Sequence, residues 1–202
     1  MDRFSFFFAF YGLILGLAVA ELLGGFAGMV RAKALKQLEP QTALLALLTF
    51  VIICATWIDA WGTESAFSLD FAGLWAPVLI GTCYFLAAAV TFPHDAAQYR
   101  QLATYYAERK GFVVLMLVIA ELLVGYTYLG FFAETLKHRP AVFWLWSMPF
   151  KAVIFVMYGG IWLSRSRRAN IAWLVFGLLL FTVTYWQYEI VGNAIARYWG
   201  YR

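Results

Sequence analysis

Three ionisable side chains sit where only apolar ones are expected. Glu21 lies in the run GLILGLAVAELLGGFAGMV, Glu121 in GFVVLMLVIAELLVGYTYLG, and Lys151 two residues after the proline of WSMPF. A carboxylate deep in hydrocarbon costs roughly 3 kcal/mol on insertion scales, so it takes a partner, a proton or a cation. Two arrangements meet that demand. In one, a glutamate pairs with Lys151 while the other holds a proton, and the cluster does no more than fix helix register. In the other, both carboxylates face a watery path and bind or relay a proton or small cation, with Lys151 as gating counter-charge. Burial disfavours the charged form of a carboxylate, which suits proton coupling. A dry pair with Lys151 and no cavity favours the first arrangement; two glutamates on one interior favour the second.

Depth ranks the remaining acids. Glu121 lies at the middle of its run, and Glu21 about four residues, or about 6 Å, from the middle of its own. Asp59 and Glu189 fall nearer the ends of theirs, among Trp57, Trp61, Tyr185, Trp186 and Tyr188. They read as interfacial anchors and as secondary candidates for the path. His94-Asp95 and the pair Glu134/His138 lack a third ligand, so no metal site is expected. Cys54 and Cys83 both fall in apolar runs, as free thiols packing like small apolar groups do. With no GxSxG, HExxH or glycine-rich phosphate loop, neither an enzyme nor a cofactor is indicated.

These residues need elements to hold them, and composition names the medium. Hydrophobic residues are 64% of the 202 and charged residues only 13%, against about half and a quarter in ordinary soluble domains. With mean hydropathy at +0.75, the chain has too little polar surface to cover a water-facing globule. The net charge of +4 does not indicate nucleic acid, because the basic residues sit in short loops between apolar runs.

Six runs are long enough to span a bilayer: 4–30, 42–61, 69–92, 111–132, 141–163 and 170–191. Ala18-Val19-Ala20 has the form of a signal cleavage site, but the run continues apolar to Val30 and reads as a retained helix. Arg31, Lys33, Lys36, Arg100, Arg109, Lys110, Arg165, Arg167 and Arg168 fall on one side. Arg3, Lys137, Arg139, Arg197 and Arg202 fall on the other, with the acidic Asp59, Glu64 and Asp70. The positive-inside rule then puts both termini outside, in the periplasm of a bacterial cell. Between the third and fourth runs, HDAAQYRQLATYYAERK reads as an amphipathic connector over 93–110. Pro93 stops the preceding helix, Asp95 caps a short one, and Tyr99, Tyr105 and Tyr106 lie at headgroup level.

Setting residue n against n+100 over Gly12–Ala27 gives seven identities in sixteen: Leu15, Leu17, Ala20, Glu21, Leu22, Leu23 and Gly25. Three spans per half make the halves, 1–92 and 111–192, inverted repeats, whose sites lie near the midplane beside interrupted helices. Pro77 and Pro149 fit as interruptions, or as packing kinks. Span one also carries Gly12, Gly16, Ala20, Gly24 and Gly28, a row of small residues that lets another helix approach closely. Their counterparts Phe112, Met116, Val124 and Tyr128 are bulky, which makes span one the central helix.

A glutamate in spans one and four of a 3+3 inverted repeat is similar to the aquaporin plan, with Glu21 and Glu121 as its motif residues. That plan also requires two Asn-Pro-Ala loops, and no asparagine here precedes a proline; Asn193-Ala194 with Arg197 lies after the last span. A water channel is set aside. FYGLILGLAVAELL and FPHD…YYAERK resemble a set of small six-span bacterial membrane proteins, which implies a bacterial inner-membrane location and lends no activity. The expectation is one all-α domain of six membrane helices. Its function is a channel or transporter for protons or a small cation through Glu21, Glu121 and Lys151. The alternative is a non-transporting scaffold or accessory subunit that meets a second copy or a partner membrane subunit through span one and its outward aromatics.

Overall fold

The computed structural model describes residues 3–61 and 71–198. Its helices are α1 (Arg3–Arg31), α2 (Pro40–Trp61), α3 (Phe71–Thr91), α4 (Leu102–Thr127), α5 (Leu129–His138), α6 (Pro140–Val142), α7 (Met148–Leu163) and α8 (Arg167–Tyr198). A five-residue π turn, Phe143–Ser147, joins α6 to α7. No strand occurs among the described residues. Six helical stretches are long and apolar enough to cross a membrane, as the hydropathy pattern requires. Only 22–44% of each is buried, so most of the apolar surface faces outward, an arrangement at home in lipid and costly in water.

The main helix contacts do not simply follow chain order. α3 lies between α1 and α4, while α2 packs on α8 and α7 on α8. The inward stripes follow helical spacing. On α4 they are Val113, Val114, Leu117, Ala120, Glu121 and Val124. On α7 they are Ile154, Met157, Tyr158 and Ile161.

The expected packing row on α1 is only half used. Gly12 lies against Trp57 and Gly28 against the Tyr99 hydroxyl, but around Gly16 and Gly24 the space is open, and Ala20 is exposed. A close approach of α1 to α3 uses a glycine on the other helix. A Cβ on Gly81 would stand 2.2 Å from Ile14 Cγ2, so α3 supplies the hollow and α1 the knob. The reason is azimuthal: Tyr11, Leu15, Ala18 and Leu22 are the residues α1 buries, and Gly16, Ala20 and Gly24 lie off that stripe.

Neither proline breaks its helix outright. α3 runs on through Pro77. Pro149 falls in the first turn of α7, where a missing N–H costs least, and the irregularity lies just before it in the π turn.

The connector also differs from expectation. Asp95 does cap a short 3-10 helix, Ala96–Gln101, its carboxylate accepting from Ala97 N–H at 2.9 Å. That helix then runs directly into α4, nine residues ahead of the expected start of span four at 111. Tyr99 and Tyr106 are buried rather than turned to lipid headgroups, and Tyr105 donates its O–H to the Val90 carbonyl at 3.0 Å. The hydroxyls of Tyr105 and Tyr106 find partners inside the bundle, and this ties the connector to it.

Candidate functional site

Glu121 is placed by the inward stripe of α4, and its side chain is only 8% exposed. Lys151 extends the stripe of α7, standing three residues before Ile154 and seven before Tyr158, so the two face each other across the α4–α7 contact. Lys151 Nζ donates to Glu121 Oε1 at 2.5 Å, a charge-assisted bond. The lysine keeps 27% of its side chain exposed. Pairing offsets part of the cost of two ions at this depth.

Asp59, a secondary candidate, belongs to the same neighbourhood. Its Oδ2 accepts from the Tyr185 hydroxyl at 2.5 Å, and its backbone carbonyl accepts from the Tyr128 hydroxyl at 3.0 Å. It lies within electrostatic reach of both Lys151 and Glu121. Asp59 comes from α2, Tyr128 from the turn after α4, and Tyr185 from α8, so three separate parts of the chain meet at one residue.

Buried hydroxyls surround this charge cluster. Thr56 donates to the Ile52 carbonyl at 2.9 Å, which leaves Tyr84 to donate to Thr56 at 2.7 Å. The Tyr158 hydroxyl is buried without a hydrogen-bond partner among the described residues, and it lies within electrostatic reach of Glu121 and Tyr84. The tyrosines were missed in the sequence because aromatic residues near span ends look alike, whether they anchor in lipid or turn inward. The stripe spacing of Lys151, Ile154, Tyr158 and Ile161 was the signal that could have exposed Tyr158.

Glu21 is elsewhere. Its carboxylate lies 4.0 Å from His94 Nε2, an ion pair only when the imidazole carries a proton. The two flank a cavity of about 150 Å³, also lined by Arg31 and Tyr99, at the end of the bundle that carries the first and third loops. Glu121 is not part of that lining. The matching AELL segments therefore set their acids in different surroundings, one half-open beside a loop and one sealed against Lys151. The Glu189 side chain lies outside the described residues.

A second polar junction, unforeseen in the sequence, closes the basic end. Asn170, 1% exposed, donates to the Ile161 carbonyl at 3.0 Å. Its Oδ1 accepts from Gln41 at 3.0 Å and from the Tyr106 hydroxyl. One amide thereby links α2, α4, α7 and α8. The only hint was its rarity, since the chain has just two asparagines.

The chemistry of the first cluster follows from its charge count. Among the described residues, Lys151 pairs with Glu121 and lies within electrostatic reach of Asp59, so the charge of the second carboxylate is left for a proton or a cation to balance. Comparison with protein families, with curated proteins and with solved structures finds no match for this chain. Its class therefore rests on its own geometry: an all-helical protein with six helices able to span a membrane.

Proposed function

We propose that the protein is an integral membrane protein that binds and passes a proton or small monovalent cation. The path runs through the cluster of Glu121, Lys151 and Asp59. The observation that carries this reading is the unequal charge count: two carboxylates within electrostatic reach of one lysine. A purely structural pair needs one acid and one base; the extra carboxylate provides a place for an exchangeable positive charge. Glu21, beside His94 in its own cavity, serves as a separate station towards the basic end rather than as part of a shared site.

The finer placement belongs to the same reading. The protein sits in a bacterial inner membrane with both termini periplasmic, as its loop charges favour. The two AELL segments descend from one three-span unit used in opposite orientations, and their surroundings have since diverged.

A second reading has its own support. Glu121 and Lys151 satisfy each other in a closed contact, which suits a scaffold or accessory subunit whose ion pair sets helix register. Gly16 and Gly24, open on α1, would then be available to a partner helix.

Flux separates the two. In proteoliposomes under a pH or cation gradient, the parent should conduct, and Glu121→Gln and Asp59→Asn should each abolish the flux while the chain still assembles. A parent that moves neither protons nor any alkali cation across a range of pH eliminates transport and leaves the scaffold.

A further inference from the structure

The basic end of the bundle holds the larger of the two cavities described, about 480 Å³, and neither the ion path nor the register pair uses it. It lies between the start of α2, the first turns of α4 and the turn from α7 to α8. Ala103 and Ala107 on one face of α4 leave the room, and Lys110, Arg165 and Arg167 line it with three cations and no carboxylate. The nearest counter-charge is Glu39, held by Arg167 at 2.8 Å. Three cations against one carboxylate leave an excess of two positive charges at the opening.

The donors are already directed. Lys110 reaches the Ile161 carbonyl at 3.3 Å and also the Ser164 carbonyl, which ties its ammonium to the C-terminal end of α7. An ammonium has three N–H donors, so one stays open to the cavity. Arg167 starts the 32-residue α8, whose positive dipole end faces the same space. Arg165 has no carboxylate partner among the described residues and is exposed. Tyr106 and Gln41, both fixed on Asn170, line it as well.

The rim decides what kind of anion belongs there. Trp162 is 44% exposed and Leu163 77%, and both also line the cavity. They continue the outward apolar face of α7, where Val156 is 60% exposed. A phosphate placed among the cations would thus have hydrocarbon surface directly beside it. We infer that this cavity is a binding site for the phosphodiester headgroup of an anionic phospholipid, whose acyl chains lie along α7. Arginine and lysine supply charge-assisted bonds to the phosphate oxygens. Free inorganic phosphate shares that chemistry but gains nothing from the apolar rim.

The test uses the full chain in phosphatidylcholine nanodiscs doped with phosphatidylglycerol, with native mass spectrometry reading the lipid retained after detergent release. The parent should retain phosphatidylglycerol over phosphatidylcholine, and Arg165→Gln and Arg167→Gln should each weaken retention about fivefold. Lys36→Gln, a cation of the first loop outside the cavity, should retain the parental level. Equal loss in Lys36→Gln, or parental retention in both arginine variants, overturns the site. So does protection by inorganic phosphate alone equal to that of phosphatidylglycerol. A photoactivatable phosphatidylglycerol gives a readout on the unaltered chain. Labelling within 103–110 and 162–167 supports the proposal, and labelling concentrated elsewhere refutes it.

Discussion

Replacing Lys151 with methionine strands a carboxylate that is 8% exposed. An unpaired buried charge of this kind costs about 3–5 kcal/mol in proteins, and a carboxylate at this depth costs about 3 kcal/mol on insertion scales. The converse change, Glu121→Gln, leaves a lysine with 27% of its side chain still exposed. Its long stem can carry the ammonium towards a polar boundary, so the expected loss is smaller, about 1–2 kcal/mol. The double variant removes both members of the pair together and should recover to within about 1 kcal/mol of the parent. The two single losses together, about 4–7 kcal/mol, then exceed the double loss, and the coupling is about 3 kcal/mol or more. Reversible unfolding in mixed micelles, followed by helix content, measures all four proteins on one scale. A coupling under about 0.5 kcal/mol, typical of independent sites, would refute the close pairing, as would a double variant less stable than Lys151→Met.

Three further outcomes follow from the packing. Asn170→Leu removes an amide that joins four helices, leaving Gln41, Tyr106 and the Ile161 carbonyl without it; it should lower thermal stability in detergent by about 3 kcal/mol. Gly160→Ala sets a Cβ 2.3 Å from the Trp173 ring and should cost about 1–3 kcal/mol by overpacking, with Trp173→Leu in the same chain restoring most of the loss. Tyr158→Phe deletes a buried hydroxyl that has no partner among the described residues and should stabilise the protein by about 1 kcal/mol, read as a higher unfolding midpoint. The same variant also separates roles, because a hydroxyl that takes part in proton movement would lose flux as it gains stability.

Much of the fold was legible because hydropathy reports depth. The six spans follow from runs of apolar residues, and the loop from Pro93 to Asp95 from residues with strong local rules. What hydropathy does not report is azimuth. Glu21 and Glu121 share a motif and nearly a depth, yet one meets His94 and the other Lys151. Asp59 stands two residues from the end of α2, which gives an anchor and a network member the same signature until Tyr128 and Tyr185 are placed around it. The connector's tyrosines read as headgroup anchors because they are amphipathic; only the positions of Val90 and Asn170 direct Tyr105 and Tyr106 inward. Stripe spacing carries part of the missing direction, and on α7 it brings Lys151 into line with Ile154 and Tyr158.

The π turn at Phe143–Ser147 stands at the head of the fifth span, which runs from Phe143 to Leu163. Such a turn behaves as one surplus residue in an otherwise regular helix. Deleting a single residue there would rotate the upstream stretch by about 100° relative to α7, while Lys151 and everything after it stayed in place. The outer cap formed by α5 and α6 can therefore be re-aimed by a one-residue change without disturbing the ion pair.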